Sequence, residues 1–390
     1  MNRNLLLFAA GSFVSLIGTR IYQVALAWWL YSKTGSSEYV GLFMISSFLP
    51  AIIVSPFAGT VVDRHSRRNM MVVMDLLRGV LFMSLFLMEY LSELTMALLL
   101  IVTVLVSVFD SFFNPAVDSL LPDLVRKENL VRANSLYRLL KNLSKILGPA
   151  LGSFLLKVVG LAGVILINSL SFLISGIFEM FIKVEEKHLK KVSKERKMWQ
   201  DIKSALLYIR SVRFILVTIL VIAIMNFFTG SMHVLLPEHV SKLGKSEWVY
   251  GTLMSMLSFG GLIVTFLMAT IKTRASAKTL GLNLMGYGLA VFVFAMTGNH
   301  WLMFAMYFLI GIFQTLFNIN VITLLQLAIP EEMRGKIFSL ISAVSFSLLP
   351  VSYGFFGFLS SYVATAHIFI TTSMALIAGG VLISLQRFEG

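Results

Sequence analysis

Two charged side chains lie inside apolar runs of this chain, where a charge needs a partner or water. Arg20 stands in the run 5–31, and Asp110 stands in the run 95–117. A charge at the centre of a membrane-spanning helix costs about 2.5–3.5 kcal/mol on insertion scales, so both side chains are expected to face a wet cavity or a charged partner. Burial favours the neutral carboxylic acid and an approaching cation favours the carboxylate, which makes Asp110 the leading candidate for a proton carrier.

Two questions about this pair stay open at the level of sequence. Counted from the ends of their runs, Arg20 is roughly 20 Å deep and Asp110 roughly 10–18 Å deep, so a direct salt bridge between them is allowed but is not predicted. A structural ion pair, or a side chain that reaches up to the membrane surface, explains either residue without a function in transport.

Polar side chains in the other runs form a second, weaker set of candidates. An amide in a membrane helix often makes an interhelical hydrogen bond worth about 0.6 kcal/mol, so structure is the better explanation for each one alone. Arg78 is likewise assigned to helix packing, and His233 to the outer surface. Together with Arg20, the candidates for a cavity or substrate site are Gln23, Asn114, Asn226, Gln314 and Asn318.

A charged turn joins the second and third apolar runs. Residues 59–68 read Gly-Thr-Val-Val-Asp-Arg-His-Ser-Arg-Arg. Gly59 allows a close helix approach, and Asp63 can accept hydrogen bonds from a helix N-terminus. Arg64, Arg67 and Arg68 offer forked donors to carboxylates or lipid phosphates. The spacing predicts a latch on the cytoplasmic side, although arginines are also ordinary in such loops.

The elements that must position these residues are membrane-spanning helices. The 390 residues are 57% hydrophobic and only 13% charged, which excludes an ordinary soluble globular protein. About 20 apolar residues span a bilayer, and the sequence supplies twelve such runs between residues 5 and 386, of which the fifth, sixth and tenth are predicted at 133–158, 161–182 and 300–328. Strand alternation is missing, so an all-α bundle is favoured over a barrel. The first run is too long for a signal peptide and is expected to stay as helix one.

A basic segment divides the twelve runs six and six. The predicted organisation is an N-terminal six-helix bundle at 1–182, a cytoplasmic basic linker at 183–212 and a C-terminal six-helix bundle at 213–390. Two such halves are typical of bundles that rock about a central site. Apolar residues at helical spacing in the linker predict an interfacial helix, with a solvated linker as the alternative: Trp199, Ile202, Leu206 and Ile209.

The net charge of +13 is explained by topology rather than by nucleic acid. Most Lys and Arg fall in segments that are cytoplasmic if the N-terminus is cytoplasmic, so the positive-inside rule puts both termini there. The expected partners of this charge are anionic lipids at the cytoplasmic face, and no nucleic-acid partner is predicted. Because the chain has no Cys, it has no disulfide, thiolate metal site or cysteine nucleophile, and no metal site is predicted.

The charged turn resembles the loop signature of the major facilitator superfamily, Gly-x-x-x-Asp-Arg-x-x-Arg-Arg/Lys. Three further segments resemble the branch that contains macrolide-efflux proteins and enterobactin exporters. They read Phe-Asn-Pro-Ala at 113–116 continuing to Leu-Pro-Asp-Leu at 121–124, Ala-Asn-Ser at 133–135, and Gln-Leu-Ala-Ile-Pro-Glu-Glu-Met-Arg-Gly-Lys at 326–336. By this resemblance, the cytoplasmic gate contains Gly59, Asp63, Arg64, Arg67, Arg68, Asp123 and Arg334.

Two further points of the resemblance bear on mechanism. Gly148, Pro149 and Gly152 resemble the core of the superfamily's antiporter motif, an expected kink in helix five that favours export. The upstream glycines of that motif are replaced, so the alternative that the kink is structural and unrelated to the direction of transport stays open.

The superfamily lines its central cavity with helices one, four, seven and ten, which makes Arg20 and Asp110 cavity candidates. Many relatives in this branch carry an acid in the middle of helix one, and many superfamily members carry an Arg in helix four. Both residues are missing here, so the family's coupling mechanism cannot simply be carried over to this chain.

The resemblance implies a twelve-helix transporter of a prokaryotic inner membrane that works as a monomer. Its expected function is proton-coupled antiport of amphipathic or lipophilic small molecules, exported by alternating access, with protons and substrate as partners and no cofactor. No phosphate-binding loop or hydrolase motif occurs, so the chain is not expected to be an enzyme. A lysophospholipid flippase is the alternative within transport. A non-transporting sensor or scaffold is the alternative outside it, and it predicts that neutralising Asp110 leaves function intact.

Overall fold

A computed structural model describes residues 2–184, 198–271 and 275–386, apart from the side chains of 198–202 and 343–346. Within these ranges the chain folds into helices and contains no strand. The helices are α1 (Arg3–Thr34), α2 (Ser37–Val62), α3 (Arg67–Tyr90), α4 (Met96–Leu120), α5 (Leu130–Met180), α6 (Met198–Ser211), α7 (Arg213–Lys242), α8 (Glu247–Thr270), α9 (Ala277–Met296), α10 (His300–Ala328), α11 (Glu331–Leu359) and α12 (Thr365–Ser384).

Helix α5 contains two membrane spans rather than one. It is 51 residues long, and its backbone leaves helical geometry at Gly160, where φ is 68° and ψ is −175°. Glycine tolerates this left-handed φ because it has no Cβ. The segments on either side, 130–159 (α5a) and 161–180 (α5b), are each long enough to cross a bilayer. Eleven helices of the described chain are long and apolar enough to span, and the break at Gly160 makes twelve spans. The predicted all-α membrane fold is confirmed.

Polar residues end the spans where the chain must turn. Ser66 and Thr95 cap the starts of α3 and α4 by accepting hydrogen bonds from the backbone N–H groups of Asn69 and Leu98. Gly35 ends α1 in a left-handed conformation with φ of 69°. Such caps satisfy backbone groups that would otherwise lack partners at helix ends.

The described helices belong to two compact units. Unit 1 comprises Met1–Gly35, Leu42–Val192 and Ser246–Gly251, and within it α1 packs on α5 while α3 packs on both α4 and α5. Unit 2 comprises Ser36–Gly41, Ser193–Lys245 and Thr252–Gly390, and within it α12 packs on α7 and α9, α10 on α9, and α11 on α7. The predicted division at 182 and 213 remains a prediction.

Two glycines let α1 and α5a come close together in unit 1. A Cβ built at Gly148 would overlap the Arg20 Cβ, and one at Gly152 would lie 2.6 Å from the Ile21 carbonyl oxygen. The chain keeps helical geometry through Gly148 and Pro149, and in α5 only Gly160 departs from it. The small residues of the antiporter-like segment therefore fix the position of Arg20 by close packing.

The basic linker is described only in part, because residues 185–197 lie outside the described ranges. Its end forms α6, which packs on α7 and α11 of unit 2. Ala205 and Ile209 are buried, whereas Leu206 of the predicted apolar face is 54% exposed. The side chains of Trp199 and Ile202 are outside the described part. The buried face of α6 thus includes residues 205 and 209 and lies against the bundle.

Candidate functional site

A buried ionic cluster lies in unit 1 where α3 meets α4. The Arg78 guanidinium donates to Asp75 through Nη2 and to Asp110 through Nη1. Asp75 and Arg78 are one turn apart on α3, so both carboxylates reach the same guanidinium from different helices. Asp75 is fully buried, while the Asp110 side chain remains 37% exposed. Asp110 is therefore the accessible member of the cluster.

Aromatic rings enclose the guanidinium of Arg78. Its Cζ lies 4.1 Å from the centroid of the Phe113 ring and 4.6 Å from that of Phe172. Its Nε donates to the Met74 carbonyl over 3.3 Å. Cation–π contacts of this kind are stronger when they are shielded from water. Arg78 thus joins α3 to α4 and α5b, as its assignment to helix packing predicts, and it is also a central part of the site.

Two further acidic residues, which the sequence reading overlooked, extend this cluster. Glu179 of α5b is fully buried, and its Oε1 accepts a hydrogen bond of 3.5 Å from Ser175. The second oxygens, Asp75 Oδ2 and Glu179 Oε2, have no hydrogen-bond partner among the described residues. Asp75 and Glu179 interact electrostatically, and the Ser175 hydroxyl is near both carboxyl groups. An acid inside a spanning helix is the signal that would have revealed Asp75, whereas Glu179 stands at the end of its span.

A small cavity lined by both polar and apolar side chains opens beside Asp110. It has a volume of about 40 Å³, which is room for a few water molecules. Arg20 donates to Gln23 Oε1 over 2.9 Å, so in the described chain its hydrogen bond goes to an amide of its own helix and not to Asp110. The charges of Arg20 and Asp110 nevertheless interact. The cavity is lined by Thr19, Tyr22, Gln23, Phe43, Ser47, Phe82, Thr103, Val106, Ser107, Asp110, Asn168 and Phe172.

The remaining cavity candidates are not gathered at this site. Asn114 donates to the backbone carbonyl of Asp110 over 2.9 Å and is exposed. In unit 2, Asn226 is half-buried and Asn318 is exposed. Gln314 lines a separate cavity of about 10 Å³ together with His233. His233 is half-buried there rather than exposed, and its location near the outer surface remains a prediction.

The charged turn, the start of α1 and the ends of α4 and α5b lie together at one end of unit 1. We call this end the arginine end. Arg67 Nη1 donates to Asp123 Oδ2 over 2.6 Å and to the Ser119 carbonyl over 3.0 Å, which joins α3 to α4. Arg68 donates to the backbone carbonyls of Glu179 and Met180, which joins α3 to α5b. Two of the predicted latch residues therefore stabilise helix ends within unit 1.

The other predicted latch residues differ in their contacts. Asp63 and Arg64 are exposed in the turn, and a Cβ built at Gly59 would meet open space. The close approach expected of Gly59 is therefore absent from the described structure. In unit 2, Arg334 Nε donates to the carbonyls of Gln326 and Ile329 over 3.0 and 3.1 Å, which ties the end of α10 to the start of α11. No group of His and acidic residues suited to a metal ion occurs in the described ranges.

Within the described ranges, twelve spans and an ionic cluster buried beside a small cavity in unit 1 are typical of a multi-spanning membrane transporter. The family model of the Major Facilitator Superfamily matches residues 8–354. The chain therefore belongs to this superfamily, as its motifs indicated.

Similar proteins include two that are named as efflux proteins and one that is named as a transporter. Macrolide efflux protein A of Streptococcus pyogenes is 23% identical over 384 residues, which cover 94% of this chain and 92% of that protein. Multidrug efflux pump Tap of Mycobacterium bovis is 21% identical over 393 residues, covering 97% and 91%. The Staphyloferrin A transporter of Staphylococcus aureus is 24% identical over 349 residues, covering 86% and 84%.

Solved structures of similar fold are also transporters. A bacterial homologue of the iron transporter ferroportin, in an inward-facing state, superposes with a TM-score of 0.75 at 19% identity, covering 98% of this chain and 99% of that one. A bacterial homologue of the human lysosomal transporter Spinster gives a TM-score of 0.72 at 14% identity, covering 97% and 94%. At these identities the likeness establishes the fold alone.

Proposed function

We propose that this protein exports amphipathic or lipophilic small molecules from the cytoplasm by alternating access, in exchange for protons. The observation that carries the proposal is the position of Asp110. Its carboxylate faces a small cavity and is held by the buried Arg78, whose other carboxylate partner is Asp75. A carboxylate with one accessible side and a buried cation on the other can exchange its pairing with the cation for a proton.

The cavity described here suits protons and water more than a drug. Its volume of about 40 Å³ is far below the 300 Å³ or more of a typical pocket for a drug-sized ligand, so substrate binding requires it to enlarge. Protonation of Asp110 would weaken its pair with Arg78 and so loosen the contact between α3 and α4. A cationic substrate that approaches Asp110 would favour the carboxylate again and release the proton. Protons and a cationic substrate would thus compete for one carboxyl group.

The energy of one proton is sufficient for useful export. For a neutral substrate, a membrane potential of 100 mV supplies about 2.3 kcal/mol for the one charge moved, which corresponds to roughly fiftyfold accumulation. Exchange of one proton for one cationic substrate moves no net charge, so the pH gradient alone drives it, at about tenfold accumulation for each pH unit. This estimate supports coupling through a single acid.

The substrate class is supported by what the relatives are named for, macrolides and multiple drugs. A macrolide such as erythromycin is a lipophilic amine, which suits a site with an accessible carboxylate. The arginine end carries the basic turn, and the positive-inside rule favours a cytoplasmic location for it. We therefore place the protein in a prokaryotic inner membrane with both termini in the cytoplasm, and expect anionic lipids to contact the basic segments.

The test is transport by the purified wild-type protein in proteoliposomes under an imposed pH gradient. Three probes are compared: erythromycin, the lipophilic cation ethidium and a fluorescent lysophospholipid. We expect uphill movement of erythromycin or ethidium that is abolished by a protonophore. Movement of the lysolipid alone would replace this proposal with a lipid flippase. If no probe moves in either gradient direction, the proposed export is wrong.

A further inference from the structure

The charges buried in unit 1 do not balance unless one proton is retained. Three carboxyl groups, Asp75, Asp110 and Glu179, are accompanied by two guanidinium groups, Arg20 and Arg78. Of the acids, Asp75 and Glu179 are fully shielded from solvent, and each has one oxygen without a hydrogen-bond partner in the described chain. An uncompensated buried charge is expensive, so a neutral carboxylic acid within the pair is favoured.

The other titratable groups near the cluster do not supply the missing positive charge. Tyr137 of α5a is buried near Asp75, Arg78 and Glu179, but it carries no charge in its ordinary state. Lys141 lies over the Tyr137 ring at 4.3 Å and is half-buried, and the acid that acts on its charge is Asp118, so this second pair adds no net charge. Asp118 and Lys145 are exposed. Arg68 meets Glu179 at its backbone carbonyl. Asp118 and Lys145 have solvent access that screens their charge.

The three acids lie progressively closer to the arginine end, in the order Asp110, Asp75 and Glu179. Asp110 is ten residues from the end of α4, or about 15 Å, and Asp75 is eight residues from the start of α3, or about 12 Å. Glu179 lies in the last turn of α5b, next to the exposed Met180. Arg78 bridges the first two acids, and the Ser175 hydroxyl lies near the second and third. The sequence of groups therefore runs from the cavity to one face of the membrane.

We propose that Asp75 and Glu179 are a proton-relay pair that connects Asp110 with the arginine end of unit 1. This inference rests on the proposed proton exchange and adds its route. A proton taken up by Asp110 from the cavity breaks the ion pair with Arg78. That proton passes from Asp110 to Asp75, and then past the Ser175 hydroxyl to Glu179, which releases one proton to water at the arginine end. Arg78 stays protonated throughout, so each carboxyl group gains one proton and loses one.

The charge state of the pair is tested first, by infrared spectroscopy of the protein in membranes. Wild type should show the carbonyl stretching band of a buried carboxylic acid, which Glu179→Gln or Asp75→Asn removes or shifts. Glu128→Gln makes the same chemical change at an exposed position of the arginine end and should leave the band unchanged. A wild-type spectrum with no band that depends on either residue would overturn the retained proton.

The relay itself is tested by substrate-driven proton flux in proteoliposomes that contain the pH indicator pyranine. With erythromycin or ethidium as the probe, Glu179→Gln should reduce proton flux at least about tenfold relative to Glu128→Gln. Exchange of labelled probe at equal pH should fall much less. Glu179→Asp keeps a carboxyl group and should restore part of the flux, which a purely structural role would not predict.

The outcomes separate the relay from the proposed function. If wild type couples protons to probe and Glu179→Gln couples them equally well, the relay is wrong and proton exchange at Asp110 stands. If wild type moves no protons with either probe, proton exchange and the relay both fail. The infrared band still decides in that case whether Asp75 and Glu179 hold a proton.

Discussion

Replacing Arg78 with Leu is predicted to destabilise unit 1 severely. The substitution leaves Asp75 at zero exposure and removes the cation that both Asp75 and Asp110 accept hydrogen bonds from. It also removes a positive charge that lies over the Phe113 and Phe172 rings. The substitution therefore tests whether the buried charge of Arg78 holds α3, α4 and α5b together.

The expected magnitude follows from these contacts. Breaking a buried ion pair by removing one partner costs about 3–5 kcal/mol, mostly because the remaining charge is left uncompensated. Each shielded cation–π contact is worth up to about 2 kcal/mol, but leucine recovers part of this by packing against the rings. At roughly 2–4 °C for each kcal/mol in a domain of this size, the apparent Tm should fall by about 6–20 °C.

The assay is the apparent Tm of purified protein in a mild detergent, measured by loss of the monodisperse peak on heating. Arg67→Leu is the matched control, since it makes the same change on the same helix to an arginine that pairs with the partly exposed Asp123. A pair with partial solvent access is worth about 0.2–1 kcal/mol and the hydrogen bond to the Ser119 carbonyl about 0.5–1.5 kcal/mol, so the control should lose less than Arg78→Leu. Adding Asp75→Asn to Arg78→Leu should recover stability. Equal Tm values for Arg78→Leu and Arg67→Leu would refute the reasoning.

Two further predictions concern packing and helix ends. Gly152→Ala should cost about 1–3 kcal/mol more than Gly59→Ala, because its Cβ would lie 2.6 Å from the Ile21 carbonyl whereas Gly59 faces open space; equal apparent Tm values would contradict the close approach of α1 and α5a. Arg334→Ala removes donors to the carbonyls of Gln326 and Ile329, so amide hydrogen exchange should speed up in a peptide covering 320–340; unchanged exchange there would show that this contact does not order the α10–α11 junction.

Most of the fold was predictable from the sequence because a bilayer imposes a simple rule on it. Each span needs about 20 apolar residues and must satisfy its own backbone hydrogen bonds as a helix. The first span was predicted at 5–31 and is observed at Arg3–Thr34, and the tenth was predicted and observed to begin at residue 300. The break at Gly160 agrees with the predicted gap between the fifth and sixth spans.

The ionic cluster was only half predictable, because hydropathy does not show which helices are neighbours. Asp110 was identified by its charge inside an apolar run, and its partner turned out to be Arg78 rather than Arg20. Asp75 stands one turn before Arg78, a spacing that could have indicated an intramembrane pair. Glu179 lies at the end of its span and looks like a boundary residue until Arg68 and Ser175 are seen beside it. Such contacts depend on packing between helices that are far apart in sequence.

The central claim is that Asp110 exchanges a proton for substrate, and uphill transport by Asp110→Asn tests it most directly. Wild type, Asp110→Asn and Asp118→Asn are compared in proteoliposomes under the same pH gradient, with erythromycin and ethidium as probes. Asp118 is an exposed acid on the same helix, so it controls for the loss of one negative charge from α4. We predict that Asp110→Asn abolishes gradient-driven accumulation while Asp118→Asn retains it. Accumulation by Asp110→Asn equal to that of wild type would contradict the account.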